Sequence, residues 1–154
     1  MIRVLFVCLG NVCRSPMAEA IFAELVREAN LQDFIEVDSA GTADWDIDSA
    51  PHPGTLYILE QNGIKYSGRG RKLLKADLDA FDYVITMDDE NLREVKKLGQ
   101  GSATIAPLMS YVKGTDIREI PDPYFDNGFE IVHMLIQAGA QALLQHIKTE
   151  HRIP

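Results

Sequence analysis

The fold is decided by Val7-Cys8-Leu9-Gly10-Asn11-Val12-Cys13-Arg14-Ser15-Pro16, a stretch that joins an apolar run to a helical pattern. Residues 3–7 favour a short buried strand, and the apolar side chains of residues 16–29 recur at helical spacing. Ser15 and Pro16 suit the N-cap and the first position of that helix. A strand, a glycine-containing loop and a helix in this order predict the opening unit of an α/β fold.

The rest of the chain continues the alternation of strands and helices. Strands are predicted at residues 35–40, 83–87 and 103–106, and helices at residues 52–62, 90–98 and 131–147. This alternation predicts a parallel sheet covered by helices on both faces. Residues 113–127 contain Pro121 and Pro123 and are predicted to form a stiff loop. With 154 residues and no linker or repeat, the chain is expected to be a single domain, residues 1–154.

Composition and charge narrow the possible partners. Apolar residues make up 46% of the chain and charged residues 25%, which is typical of a folded globular protein. The net charge of −8 argues against nucleic acid or an anionic membrane as a partner, since both favour a basic surface. No apolar run approaches the roughly 18 residues of a membrane span, and the start lacks a signal-peptide pattern. We therefore expect a cytoplasmic protein.

The two cysteines, Cys8 and Cys13, lie in one short loop. A disulfide scaffold would place its cysteines far apart, and a structural zinc site would need more ligands. The four histidines have no ligand spacing to the cysteines; they are His52, His133, His146 and His151. We therefore expect no metal and no cofactor, and in a reducing compartment such cysteines are either reactive or incidental.

The loop after the first strand has the features of an anion-binding site. It leads into a helix N-terminus, where unpaired N–H groups and the helix dipole attract anions. Gly10 allows the backbone to turn with a positive φ, and Asn11 tolerates a left-handed conformation. Cys8 would then face the donors as a nucleophile, with Arg14 folding back onto the phosphate oxygens. The alternative is that Cys8 is a small buried residue and Arg14 a charge on the helix surface.

Four blocks of sequence together resemble the low-molecular-weight protein tyrosine phosphatases. They are residues 7–19, Asp38-Ser39-Ala40-Gly41-Thr42, Asp82-Tyr83-Val84-Ile85-Thr86-Met87-Asp88 and Asp122-Pro123-Tyr124, in that order along the chain. The resemblance covers nearly the whole chain. It implies a flavodoxin-like three-layer sandwich in which a four-stranded parallel sheet carries helices on both faces.

The resemblance also implies the catalytic residues. Cys8 would be the nucleophile, Arg14 the phosphate clamp and Asp122 the general acid and base. The alternative for Asp122 is that it only starts a turn, as Asp-Pro pairs often do. Substrate phosphate would be bound by the loop residues Leu9, Gly10, Asn11, Val12, Cys13 and Ser15, with the Ser15 hydroxyl donating to the Cys8 sulfur.

Further residues are assigned to the walls and the support of the pocket by the same resemblance. Trp45 and Tyr124 look like aromatic walls that suit a phenyl ring. Ser39 resembles the position that hydrogen-bonds the Asn11 side chain and holds its strained backbone. Some members have a histidine that supports the same network, and Tyr66 stands in that region here. This difference puts that part of the support in question.

The function expected is hydrolysis of phosphotyrosine in proteins through a cysteinyl-phosphate intermediate, with phosphate as product. A protein-arginine phosphatase is an alternative, although Val12 replaces the threonine found in those relatives. Arsenate reductase is a second alternative, but it needs cysteines beyond Cys8 and Cys13. A third is a non-catalytic module that binds phosphoproteins. We expect a monomer or weak dimer, and a Cys8–Cys13 disulfide is an open redox hypothesis.

Overall fold

The computed structural model describes all residues, Met1–Pro154. Four parallel strands form one sheet in the order β2-β1-β3-β4: β1 (Ile2–Cys8), β2 (Ile35–Gly41), β3 (Tyr83–Thr86) and β4 (Thr104–Pro107). Five α-helices accompany the sheet: α1 (Arg14–Glu28), α2 (Pro53–Gln61), α3 (Asp77–Ala80), α4 (Asp89–Leu98) and α5 (Phe129–His151). A short 3₁₀ helix covers Leu108–Tyr111.

The side chains of β1 alternate between two cores, as the period of a strand requires. Val4 and Phe6 belong to the larger core, where Phe6 meets Phe22 of α1 edge to face with 5.5 Å between ring centroids. Leu5 and Val7 belong to the smaller core, which includes residues of α3 and α4. Helices α1, α2 and α5 therefore cover one face of the sheet, and α3 and α4 cover the other. The predicted flavodoxin-like three-layer sandwich is confirmed.

The strand order places a crevice at the end of β1. The chain passes from β1 to β2 on one side and then to β3 on the other side of β1. In open parallel sheets, ligands bind at the carboxyl ends of the strands where the order reverses in this way. Cys8 is the last residue of β1, so the topology brings it to this crevice.

Each predicted strand and helix is present, with shifted ends. The helix after the first loop begins at Arg14, and its N-cap is Cys13 without a side-chain cap bond. The expectation that Ser15 is the N-cap is wrong, because its hydroxyl is hydrogen-bonded to other groups. Helix α5 extends beyond both predicted ends. Helix α3 and the 3₁₀ helix are not predicted, since one turn is too short to show a period.

The segment of residues 113–127 contains no helix or strand, as the two prolines predict. It runs from the 3₁₀ helix to α5, and Ile120 within it donates its amide to the carbonyl of Met87, just beyond β3. This bond fixes the segment at the carboxyl edge of the sheet, beside the end of β1. Separately, none of the helices is long and apolar enough to cross a membrane.

Candidate active site

The loop after β1 turns at Asn11 rather than at Gly10. Asn11 has a φ of 58°, in the left-handed region, as predicted from its residue type. Gly10 is not among the residues with positive φ, so the conformational freedom that glycine allows is not used there. A Cβ at Gly10 would lie 2.9 Å from the Oδ2 atom of Asp46, so a larger residue there would have to displace this side chain.

The end of β2 holds the loop at close range. The amides of Thr42 and Ala43 donate to the carbonyls of Cys8 and Leu9, both at 2.9 Å. Gly41 makes this approach possible, since a Cβ there would lie 2.9 Å from the Leu9 carbonyl oxygen. The first part of the loop is therefore fixed to the sheet by backbone bonds.

The Cys8 sulfur lies against Ser15. Its Sγ atom is 3.0 Å from the Ser15 Oγ atom and accepts the Ser15 amide at 3.4 Å. The Ser15 oxygen in turn accepts a hydrogen bond from Asn11 Nδ2 at 2.8 Å. The hydroxyl proton is therefore free to point at the sulfur, which is nearer than the Ala40 carbonyl at 3.5 Å. Two donors converge on one buried sulfur, an arrangement that stabilises a thiolate.

Arg14 is a buried cation, not a charge on the helix surface. The residue is only 2% exposed, and its Nη1 atom donates to Asp88 Oδ2 at 2.6 Å and to the Ile120 carbonyl at 2.8 Å. Burial opposes the charged form, but the negative charges at Cys8 and Asp88 outweigh it and raise the pKa of Arg14. The guanidinium therefore stays charged beside the pocket that Cys8 and Arg14 both line.

Asp88 is a residue of the site that sequence reasoning missed. Its Oδ1 atom caps α4 by accepting the Asn91 amide at 2.7 Å, and its Oδ2 atom binds Arg14. One carboxylate thus joins the start of α4 to the guanidinium. The available signal was its position, since an acidic residue two places after β3 lies at the edge where ligands bind.

Asp122 both starts a turn and faces the pocket. Its Oδ1 atom accepts the Tyr124 amide at 3.0 Å, which is the turn expected of an Asp-Pro pair. Its Oδ2 atom is 3.6 Å from Arg14 Nη2, and the side chain keeps 26% of its surface exposed. The two interpretations of this residue are therefore compatible. Asp126 makes a second such turn, accepting the Gly128 amide at 3.0 Å before α5.

Aromatic side chains form the mouth of the pocket. Trp45 and Tyr124 line it as predicted, and Phe125 lies beside Tyr124 with 5.3 Å between ring centroids. These rings are largely exposed, Trp45 by 72% and Phe125 by 82%. Asp46 also lines the pocket and was not predicted. A polar, cationic base and an aromatic mouth suit a phosphate group attached to a flat ring.

A hydrogen-bond network behind the loop holds Asn11 in its strained conformation. The Asn11 Nδ2 atom donates to Ser39 Oγ at 3.0 Å, the predicted contact, and Asn11 Oδ1 accepts the Arg71 amide at 2.9 Å. Ser39 then donates to Glu19 Oε1 at 2.5 Å, and the Tyr66 hydroxyl donates to the same oxygen at 2.6 Å. Tyr66 thus joins the network through Glu19, a link that the sequence did not reveal.

Glu19 is expected to make stability depend on pH. Burial, partly offset by the hydrogen bonds from Ser39 and Tyr66, raises the pKa of its carboxyl group. The folded state then binds this proton more tightly than the unfolded state does. The resulting stability is complete below the unfolded pKa and is lost as pH rises through the folded pKa. Glu19→Gln keeps an acceptor for both hydroxyls and removes the charge.

At neutral pH, Glu19→Gln should therefore have a higher free energy of unfolding than wild type. This difference should disappear in acid. Urea unfolding of both proteins between pH 7 and about pH 4 measures the difference. Glu60→Gln, which removes the same charge from an exposed position on α2, is a control for charge alone. A difference between Glu19→Gln and wild type that stays constant over this range would contradict the prediction.

Cys13 lines the pocket but is a neutral thiol. Burial first, and then the charge of Cys8, raise its pKa to about 12. Both cysteines are free and buried, and the carbonyl of Cys13 accepts a hydrogen bond from Thr55 Oγ1 at 3.0 Å. The two thiols therefore have different surroundings, since only Cys8 has hydrogen-bond donors directed at its sulfur.

A flavodoxin-like sheet that places a thiol, a buried guanidinium and a carboxylate around one pocket defines a small phosphate-handling enzyme. No three His, Cys, Asp or Glu side chains are grouped so as to hold a metal ion. The family model described as "Low molecular weight phosphotyrosine protein phosphatase" matches residues 3–153. The chain belongs to this family, which makes it a phosphoric monoester hydrolase.

Individual relatives are similar to this chain over nearly its whole length. The low molecular weight protein-tyrosine-phosphatase YfkJ of Bacillus subtilis is 44% identical over 156 residues, covering 99% of this chain and 100% of the relative. The YfkJ crystal structure superposes with a TM-score of 0.95 at 45% identity, covering 97% of this chain and 96% of that chain. The Drosophila arginine phosphatase DARP has a TM-score of 0.89 at 38% identity, with 94% and 97% covered.

Proposed function

We propose that this chain hydrolyses phosphotyrosine in proteins, with Cys8 as nucleophile, Arg14 as phosphate clamp and Asp122 as general acid and base. The observation that carries the proposal is the contact of the Cys8 sulfur with the buried Ser15 hydroxyl at 3.0 Å, behind a pocket that Cys8 lines together with Arg14 and Asp122. A thiol held by donors beside a fixed cation is prepared to attack an anionic phosphate.

In the first step the Cys8 thiolate attacks phosphorus and forms an S–P bond. The bond from phosphorus to the phenol oxygen breaks, and Asp122 delivers its proton to that oxygen. The Ser15 hydroxyl stabilises the thiolate before attack. Arg14 and the loop amides hold the three equatorial oxygens, so positioning and electrostatics supply most of the rate.

In the second step the Asp122 carboxylate takes a proton from a water molecule. The water oxygen attacks phosphorus, the S–P bond breaks, and the Cys8 thiolate and free phosphate are released. The positive field comes from Arg14 and from the amides of the phosphate-binding loop, so the proposal includes no metal and no cofactor. The loop residues are Leu9, Gly10, Asn11, Val12, Cys13 and Ser15.

Phosphotyrosine is proposed over phosphoarginine because of the pocket walls. Val12 lines the pocket and offers no hydrogen-bonding side chain to a guanidinium group. Tyr124 and Trp45 present flat apolar surfaces that match a phenyl ring. Because one structural relative is an arginine phosphatase, phosphoarginine is the alternative substrate to test. Arsenate reduction is less well supported, because the chain has no cysteine beyond position 13.

Initial rates on matched peptides carrying phosphotyrosine, phosphoarginine or phosphoserine test the proposal. We expect kcat/KM to be highest for phosphotyrosine, with no turnover of any peptide by Cys8→Ser. A preference for phosphoarginine would overturn the substrate assignment and leave the mechanism in place. Equal activity of wild type and Cys8→Ser would overturn both assignments. A wild type that turns over none of the peptides would also overturn both, and would favour a module that only binds phosphoproteins.

Partners, location and oligomeric state are proposed from net charge and family membership. The net charge of −8 argues against nucleic acid as a partner, and the family match supports phosphoproteins as substrates. We propose a cytoplasmic enzyme that acts as a single domain, residues 1–154, and as a monomer or weak dimer.

Cys13 is proposed to protect Cys8 from irreversible oxidation. When peroxide converts the Cys8 thiolate to a sulfenic acid, the Cys13 thiol can condense with it, forming a disulfide and releasing water. A dithiol reductant then restores both thiols. We expect wild type to recover most of its activity after peroxide and dithiothreitol, and Cys13→Ser to lose it several-fold faster. Equal irreversible loss in both proteins would count against protection.

A further inference from the structure

His52 links the phosphate-binding loop to the start of α2. Its backbone amide donates to the Val12 carbonyl at 2.8 Å, and Thr55 Oγ1 in the next turn donates to the Cys13 carbonyl. Thr55 is completely buried. The first residues of α2 therefore hold the side of the loop that β2 does not reach.

The imidazole ring of His52 has a fixed orientation. As N-cap of α2, its Nδ1 atom accepts the Gly54 amide at 2.9 Å. One face of the ring stacks on Phe129, the first residue of α5, with 4.9 Å between centroids and 29° between planes. Gly54 leaves room for this stack, because a Cβ there would lie 2.5 Å from a Phe129 ring atom.

The same ring also supports the pocket wall. The centroid of His52 is 5.7 Å from that of Tyr124, with 73° between the ring planes, which is a favourable edge-to-face geometry. Tyr124 is 55% exposed and its backbone is held by the turn at Asp122. Tyr124 has two aromatic neighbours, His52 and Phe125. Phe125 is itself largely exposed, so His52 is the fixed one.

We propose that His52 is a positioning residue for substrate specificity: it holds Tyr124 as the wall that contacts the aromatic ring of phosphotyrosine. The proposal rests on the proposed function. A cap alone needs only a small acceptor, and Ser, Thr, Asp and Asn supply it better than histidine does. The imidazole adds two aromatic contacts that these residues cannot make, and one of them lies on the substrate wall.

Two variants separate the cap from the ring. His52→Asn keeps an acceptor for the Gly54 amide and removes the ring, whereas His52→Phe keeps a ring and removes the acceptor. We expect His52→Asn to raise KM for a phosphotyrosine peptide by about three- to tenfold, the size of one aromatic pair, with kcat changed less than about twofold. His52→Phe should keep KM near wild type although it lowers the Tm.

Inhibition by inorganic phosphate is the matched control, because phosphate has no ring and should bind both variants as it binds wild type. In a Tyr124→Ala background, His52→Asn should raise KM no further. Equal KM changes in both His52 variants would overturn the proposal in favour of a capping role, as would an unchanged KM in His52→Asn. A wild type inactive on phosphotyrosine would overturn the proposed function itself.

Discussion

Cys8→Ser should reduce turnover of phosphotyrosine by on the order of 10⁵-fold or more, the scale observed when an enzyme loses its nucleophile. Serine keeps the size of the side chain and the contact with Ser15, but its hydroxyl is not ionised at neutral pH and attacks phosphorus poorly. Phosphate binding should persist, because Arg14 and its partners Asp88 and Ile120 are unchanged.

Steady-state rates, together with calorimetric titration of phosphate, measure the two parts of this prediction. Cys13→Ser is the matched control, since it makes the same substitution five positions away in the same loop. That variant should keep turnover within about tenfold of wild type. If Cys8→Ser retained a comparable rate, or if both cysteine variants lost activity equally, Cys8 would not be the nucleophile.

Asp122→Ala should slow cleavage of phosphotyrosine by about 10²- to 10⁴-fold, the usual contribution of a general acid or base. The loss has a specific signature. An activated aryl phosphate, whose leaving group departs without a proton, should still transfer its phosphoryl group to Cys8 at a near-normal rate. Release of phosphate should then become slow, because no base activates the water.

Asp122→Asn separates the chemical role from the turn. Asparagine can still accept the Tyr124 amide that Asp122 now accepts at 3.0 Å, so the loop should keep its shape. We expect the two variants to be similarly slow. An active Asp122→Asn beside an inactive Asp122→Ala would assign this residue to the turn and move the acid role to another carboxyl, such as Asp46, which also lines the pocket.

The fold could be predicted because its signals are local and periodic. The strand at Ile2–Cys8 and the helix at Arg14–Glu28 show their periods within a few turns, and their alternation defines the parallel sheet. Helix α3 has only four residues and shows no period. Helix α1 begins before the predicted N-cap, because the Ser15 hydroxyl is hydrogen-bonded to Cys8 and Asn11 within the site and does not cap the helix.

The site residues that could be predicted are likewise those close together in sequence. Cys8 and Arg14 belong to one contiguous motif, and its position between a strand and a helix indicated a relationship that their spacing alone would not. Asp88 binds Arg14, 74 positions away, and Glu19 binds Ser39, 20 positions away. No local sequence pattern predicts contacts over such separations. The sequence predicts His52 only as the start of a helix, because its contact with Tyr124 depends on how α2 packs against the loop before α5.

The most direct test of the account is to look for the covalent intermediate. Asp122→Ala is mixed with an activated aryl phosphate, quenched rapidly, digested and measured by mass spectrometry. We predict one equivalent of phenol released in a burst and one phosphoryl group on Cys8 itself, located by fragmentation of the peptide, with Cys13 unmodified. A burst without that modification, or a phosphoryl group on any other residue, would contradict it.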